Sequence, residues 1–352
     1  MERAEISQEE RKEFQDHLNR FLTKRKWKRR EFESKTIYLK EGVNYPPDHF
    51  LEKPRKRRLP PLSQGIRKII AFFPERGYEE KVQDNIVNTG KVKDTFLIGA
   101  GVQYFRECFW GDKGPTEGSF FLPQPVIRMQ YANSVKEGST SSFVNASTVQ
   151  LQSSFREHLV SLDNWFDLFS EQGLYMGDFN LEVVSPERYG RGKKGKWKDT
   201  DGFSVNINYL NQNIGDAGFI RVQTKRGPLE VSDIGFGLER ILWSLYKTPS
   251  YFDLIGPISE TRNLRFQLVD SIRSATLLGM SNISDKDQNS YNQFKKFVKY
   301  ASDFYGQFDL FKLIRHYHNF WSEFINPQRG STQTYYFLDR EIGEFVHESR
   351  DL

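Results

Sequence analysis

The stretch LEVSDIGFGLERILWSLY, from Leu229 to Tyr246, constrains this chain more than any other. A β-prone run at Leu229 and Val231 ends at Ser232 and Asp233, a turn with Gly235 and Gly237 follows, and a helix opens. Leu238, Ile241, Leu242 and Leu245 fall at i, i+3, i+4 and i+7, one apolar face at helical period. Pro249 closes the segment, because it has no N–H to donate and disfavours helix in the residue before it. Arg240 rides in the first turn, off the apolar face. Two small residues ahead of a helix N-terminus let backbone approach a ligand, and the exposed N–H groups favour anions. An arginine that keeps its charge adds to this. The pattern points to a phosphate or other anion at this corner, with Asp233 available to a cation such as an ammonium group. An ordinary strand, glycine turn and helix with a solvent-facing arginine would show the same letters, so the remainder of the chain must decide.

With 352 residues the chain can bury a sizeable core, and its length suggests two or three structural units. A net charge of +5 permits a polyanionic partner without requiring one. An aromatic content of 15%, with 30 Phe and 16 Tyr, implies an aromatic-rich core and rules out overall disorder. Cys108 is the single cysteine, which excludes an internal disulfide and a cysteine metal cage. Of the six histidines, His316 and His318 alone are close, and at i, i+2 they point to different sides of a helix; no zinc site is expected. No apolar run approaches membrane-spanning length, and the N-terminus lacks a signal-peptide core. The expectation is a soluble, cytoplasmic protein with no membrane partner.

Residues 1–62 read as a basic N-terminal extension. A polar helix candidate from Gln8 to Thr23 runs into a basic cluster from Lys24 to Arg30, and a second cluster, Arg55-Lys56-Arg57-Arg58, precedes Pro60 and Pro61. Such runs fit either a solvated charged face or nucleic-acid contact. The globular body begins near Ser63 with a helix face of Ile66, Ile69, Ile70 and Phe73, broken at Pro74. Strands are expected at Thr95 to Ile98, Pro123 to Met129, Gly173 to Val184 and Gly202 to Leu210, with a basic loop from Arg191 to Lys198 between the last two. Strand, loop, strand and the Asp233 corner suggest an α+β fold, an antiparallel sheet flanked by helices, over 63–255. Residues 256–352 read as a helical domain, with apolar repeats at Leu264, Leu268, Ile272 and Ala275, at Phe294, Val298 and Ala301, at Leu310, Ile314, Tyr317 and Trp321, and more weakly at Leu338, Ile342 and Phe345 around Gly343.

Five pieces, in order, resemble the catalytic core of alanyl-tRNA synthetase, a class II aminoacyl-tRNA synthetase. Ala100 to Gly111 (AGVQYFRECFWG) resembles the family's AGMNQFKDVFLG. Gln124 to Arg128 (QPVIR) resembles the QRCVR strand of motif 2, and Ser232 to Arg240 (SDIGFGLER) resembles VDTGMGLER of motif 3. Tyr251 to Leu254 is similar to YDTDLF, and Asp270 to Ala275 (DSIRSA) to DHIRSC. All five fall in register within about residues 66–300.

That resemblance implies a class II antiparallel sheet binding a bent ATP, followed by a helical module. It places Arg128 on the α-phosphate and Arg240 on the distal phosphates, with Gly235 and Gly237 at the nucleotide. Glu182, in FNLEV, matches the family's TEIF glutamate and implies a Mg²⁺ bridging phosphates. Asp233 would take the substrate α-ammonium, and Asn206, in VNI, its carboxylate or carbonyl. Phe143 is read as a core aromatic rather than an adenine platform. The departures bear on substrate and acceptor. The segment between motif 2 and GPCGPCTEI is shortened to Leu174–Glu182, FFEMLGNFSF becomes FVNASTVQ, and SNENRGYVLRR becomes DKDQNSYNQFKK. The editing and C-terminal oligomerising domains of the family are not expected. The implied function is ATP-dependent activation of an amino acid, passed to a tRNA or to a small molecule, peptide or carrier protein. The alternative is a non-catalytic RNA-binding or regulatory relative that keeps the fold.

Overall fold

Alternation along Phe203, Ser204, Val205, Asn206, Ile207 and Asn208 gives one apolar and one polar face, the signature of a strand half-buried in a sheet. The structure, a computed structural model, describes residues 5–32, 35–43, 62–88, 90–92, 95–112, 114, 117–132, 134–184, 200–210, 212–256, 264–281 and 283–348. These form two units, one of residues 1–81, 101–122 and 146–247, the other of 82–100, 123–145 and 248–352.

The first unit holds the body of a sheet that has nine strands among the described residues. They are β1 (Trp27–Phe32), β2 (Lys35–Lys40), β3 (Glu79–Glu80), β4 (Gly118–Ile127), β5 (Ser142–Leu151), β6 (Phe179–Val183), β7 (Thr200–Tyr209), β8 (Gln212–Thr224) and β9 (Gly227–Gly237). Their order is β1-β2-β6-β7-β8-β9-β5-β4-β3. The run β1-β2-β6-β7-β8-β9 is antiparallel at every step, and the short β3 is parallel to β4. The expected α+β arrangement, an antiparallel-dominated sheet with flanking helices and a helical module, is the one found.

Helix α1 (Gln8–Lys24) starts at a reciprocal cap: Ser7 Oγ accepts from the Glu10 N–H at 3.1 Å, and Glu10 Oε2 accepts from the Ser7 N–H at 2.8 Å. After α2 (Leu62–Phe72) and α3 (Arg106–Trp110) comes α4 (Phe155–Gln172), which covers the apolar sheet face together with α1; α4 is opened by the Ser154–Glu157 capping box and closed by Gly173 in the left-handed region. Phe14 of α1 stacks on Phe155 of α4 at 4.6 Å and meets Phe219 of β8 at 5.3 Å. A row of rings, Phe73, Trp165, Phe236, Phe169 and Phe179, continues the layer at centroid spacings of 4.4, 4.4, 4.9 and 5.2 Å. The core is aromatic, as the composition implies. Each buried ring contributes roughly 1.5–3 kcal/mol of transfer free energy.

Three local expectations change. The described part of the basic N-terminal segment is built into the first unit: β2 pairs with β6, Arg11 Nη2 meets Asp201 Oδ1 at 2.5 Å, and Asp201 Oδ2 accepts from the Ile6 N–H at 2.9 Å. The Thr95–Ile98 segment contributes a single bridge, Val87 to Leu97, instead of a strand. No turn separates strand from helix at Gly235 and Gly237; β9 runs on to Gly237 and α5 (Leu238–Tyr246) begins at the next residue. The ladder continues because β8 is long enough to pair Asp216 with Gly235 and Gly215 with Phe236, which satisfies backbone that a turn would leave to water.

In the second unit, helix Phe266–Met280 is buried almost all round and is the core of the helical module. Helices Gln288–Ser302, Leu310–Trp321 and Ser331–Glu348 pack on it, with Phe294, Val298, Ala301, Ile314, Tyr317, Trp321, Leu338 and Ile342 buried as their spacing predicts. Phe345 is half-buried.

Candidate functional site

In an antiparallel ladder, residues directly opposite one another project to the same face. Glu182 on β6 stands opposite Asn206 on β7, Asn206 opposite Asp216 on β8, and Asp216 opposite Gly235 on β9. One row therefore crosses four strands as Glu182–Asn206–Asp216–Gly235. Asp233 lies two residues from Gly235, on the same face, opposite Gly218. Glu182, Asn206, Asp216 and Asp233 are all half-buried. Their neighbours Leu181, Ile207, Ala217 and Ile234 point the other way, into the aromatic layer, and none is more than marginally exposed. The sheet thus turns an apolar face to its helices and an oxygen-rich face away from them. Lys35 Nζ lies 3.4 Å from Glu182 Oε2 at one end of the row.

Arg240 stands on the first turn of α5, where Gly237 supplies the cap position with no side-chain capping bond. Its Nη1 donates to Asn213 at the start of β8, to the carbonyl O at 3.2 Å and to Oδ1 at 3.3 Å. A Cβ at Gly237 would sit 3.3 Å from Arg240 Cγ and Cδ, so the glycine makes room for the arginine stem. Gly215 has a stricter role, since a Cβ there would overlap the Gly235 carbonyl oxygen and the Phe236 ring. Beneath the row, His158 of α4 is fully buried with Nδ1 2.8 Å from Ser232 Oγ, and burial pushes its imidazole down to about 3. These two arrangements hold β9 from below and from the side.

Sequence reasoning missed Asp216, Gly215 and His158. The alternation Asp216, Ala217, Gly218, Phe219 puts Asp216 on the polar face once 212–224 is read as a strand. For His158 the signal was its place among Phe155, Leu159 and Leu162 on one helical face.

Arg128 belongs to the second unit, at the end of β4. Its Nε donates to the Gly99 carbonyl at 3.0 Å, its N–H donates to the Ser141 carbonyl at 2.8 Å, and its guanidinium lies 5.0 Å from the centre of the Phe143 ring. Phe143 is buried with Ile98 and Val126, the core position expected for it. Gln124, on the same face of β4, donates to the Ala100 carbonyl at 3.0 Å. Glu182, Asn206, Asp233, Gly235, Gly237 and Arg240 are thus brought together in the first unit, and Arg128 is anchored in the second.

Much of the first basic cluster is engaged: Arg25 pairs with Asp163, Arg29 with Glu31 at 2.5 Å, and Lys28 with Glu41 at 3.1 Å. Arg55 to Arg58 and Arg191 to Lys198 lie outside the described residues. Among the described residues no three or more His, Cys, Asp or Glu group as a metal cage, and no helix is long and apolar enough to cross a membrane. Mg²⁺ held through one carboxylate and the phosphates of a nucleotide needs no such cage, and the half-buried Glu182 fits that use.

Over 228 residues the chain is 26% identical to alanine–tRNA ligase of Methanothermobacter thermautotrophicus. It is similar to alanine–tRNA ligases. The match covers 60% of this chain and 24% of that ligase. The ligase of Pyrobaculum arsenaticum is 24% identical over 216 residues, covering 58% of this chain and 23% of the relative. That of Methanococcus vannielii is 23% identical over 257 residues, covering 67% and 27%. The chain thus spans about a quarter of the length of the curated relatives it matches. No protein-family model matches it. Among solved structures, pyrrolysyl-tRNA synthetase from Desulfitobacterium hafniense is matched at a TM-score of 0.38 with 13% identity, over 56% of this chain and 73% of that one.

Proposed function

We propose that this chain is an ATP-dependent ligase that activates an amino acid as its adenylate and passes it to a tRNA or to a small-molecule, peptide or carrier-protein acceptor. The observation that supports it best is the register that aligns Glu182, Asn206, Asp216 and Gly235 across four strands, with Asp233 on the same face. The similarity to alanine–tRNA ligases supports the class of reaction.

The chemistry needs no general base, because the attacking carboxylate is already charged. One carboxylate oxygen of the amino acid bonds to the α-phosphorus of ATP, and the bond from that phosphorus to the bridging oxygen of pyrophosphate breaks. What the protein must supply is placement of two anions against each other and a field for the charge that builds on the leaving group. In this reading Asp233 pairs with the α-ammonium and sets the register of the substrate. Asn206 bonds its carboxylate or carbonyl. Arg128 takes the α-phosphate, and Arg240 the distal phosphates. Gly235 and Gly237 let backbone approach the nucleotide. Glu182 would hold a Mg²⁺, whose contribution when bound is to offset phosphate charge.

ATP–pyrophosphate exchange over a panel of amino acids is the test. Exchange with one amino acid, reduced at least 100-fold in both Arg240→Ala and Asp233→Ala, is the expected result. Silence over the whole panel with well-folded protein rejects the ligase in favour of a non-catalytic RNA-binding or regulatory relative.

A further inference from the structure

The loop 129–141, which follows Arg128 and leads into β5, is tied down at both ends by the helical module and at its tip by Ser250 and Tyr251. At the tip, Glu137 accepts two hydrogen bonds: Oε1 from the Ser250 hydroxyl and Oε2 from the Tyr251 N–H, each at 2.7 Å. Ser250 is the cap of helix α6 (Tyr251–Ile255), so the carboxylate grips the start of that helix. Near the outgoing end of the arginine strand, Gln267 Nε2 donates to the Ala132 carbonyl at 3.2 Å. At the return, Asp270 Oδ1 accepts from the Ser141 N–H at 2.9 Å, Arg273 donates to the Ser142 carbonyl, and the Ser274 and Ser142 hydroxyls are 2.9 Å apart.

Those last contacts bear on Arg128 directly. Ser141, whose N–H is held by Asp270, gives its carbonyl to the Arg128 N–H, and Ser142 precedes Phe143, whose ring lies beneath the Arg128 guanidinium. Asp270 and Arg273 are both fully buried, Arg273 with its guanidinium 4.2 Å from the centre of the Trp321 ring. Buried charged groups are retained at a cost in desolvation, so two of them in the centre of a helical core, each bonded to loop backbone, need a reason beyond stability. Holding the loop supplies one. Burial also pushes the Asp270 carboxyl up to about 6, the mark of the environment it occupies to make that bond.

We propose that Asp270 and Glu137 are positioning residues that fix the 129–141 loop and, through Ser141 and Phe143, the guanidinium of Arg128. This rests on the phosphate role proposed above for Arg128. The helical module then serves the activation step itself, by pre-organising an arginine that the sheet alone would leave on a free loop.

The test uses the full chain with Glu137→Ala, Asp270→Ala, the conservative Glu137→Gln and Asp270→Asn, and Arg128→Ala. Amide hydrogen exchange is read in peptides covering 128–142, and pyrophosphate exchange is read as kcat and KM for ATP. Exchange in 128–142 is expected to speed up about tenfold or more in the alanine variants, with helix Phe266–Met280 unchanged in Glu137→Ala. The ratio kcat/KM should fall by about 10- to 100-fold, with the conservative variants recovering most of it. Because both act through Arg128, Arg128→Ala with Glu137→Ala should be no worse than Arg128→Ala alone. Should Asp270→Ala fail to fold, Glu137→Ala decides. Unchanged loop exchange in Glu137→Ala, or losses that multiply with Arg128→Ala, overturns the proposal. A wild-type chain silent with every amino acid rejects the ligase reading alone, and loop exchange in the same variants then decides whether these residues hold the loop.

Discussion

His158 of α4 lies 2.8 Å from the hydroxyl of Ser232, the residue before Asp233 on β9, and both are fully buried. The contact joins the helix beneath the sheet to the strand that bears the acid proposed for substrate binding. Burial holds the imidazole near 3 against an ordinary 6.5, so the folded state binds fewer protons than the unfolded chain between those values. The contribution is complete above pH 6.5 and is lost as pH falls toward 3. Asp270 has the opposite sign: its raised pKa favours the protonated folded state, so its share of stability is present at low pH and lost as pH rises through 6. The difference between wild type and His158→Gln isolates the histidine. Thermal melts from pH 7 to 4 should show a steeper loss for wild type than for the variant, and parallel curves would reject the assignment.

Gly215→Ala should destabilise the first unit by about 1–3 kcal/mol, because the added methyl meets the rigid Gly235 backbone and the packed Phe236 ring. Gly343, by contrast, lies inside helix Ser331–Glu348 with open space around it. Gly343→Ala should stabilise by about 0.5–1 kcal/mol. Urea denaturation of both variants checks the contrast; equal effects would show that the close approach at Gly215 is not limiting.

Gly237→Ala crowds only the stem of Arg240, a flexible neighbour, and Asn213→Ala removes the side-chain acceptor of its guanidinium. Both should leave the melting temperature within a few degrees while lowering pyrophosphate exchange about tenfold or more through misplacement of Arg240. Activity equal to wild type in both would remove Arg240 from the proposed phosphate contacts.

Asp201 ties the N-terminal segment to β7, accepting from the Ile6 N–H, from Arg11 and from the Gly202 N–H. Asp201→Ala leaves Arg11 and a buried N–H without that acceptor and should cost about 3 kcal/mol. The same variant should expose the Phe14–Phe155 contact to protease between α1 and β1. A loss under about 0.5 kcal/mol by denaturant titration would mean that the segment is only loosely attached.

Local patterns made much of this protein legible. Helices Gln288–Ser302, Leu310–Trp321 and Ser331–Glu348 were readable because each buries one face at helical spacing, a property of consecutive residues. The helix that carries Arg240 was readable for the same reason, although the turn expected before it at Gly235 and Gly237 gave way to a continuous strand; the aromatic core followed from composition. The segment 142–151 and the strand 212–224 were harder, since near-continuous burial in one and interspersed glycines in the other blur alternation.

What consecutive residues determined, then, was which stretches coil, which extend and which side chains have suitable chemistry. Which carboxylate stands beside which amide was decided only by strand register, a relation between residues far apart in the chain, such as Asn206 with Glu182 and Asp216. The same holds for Glu137 reaching Tyr251 and Asp270 reaching Ser141, contacts closed by packing across more than a hundred residues. Hydrogen bonds and burial act through space, and only folding brings those partners within range.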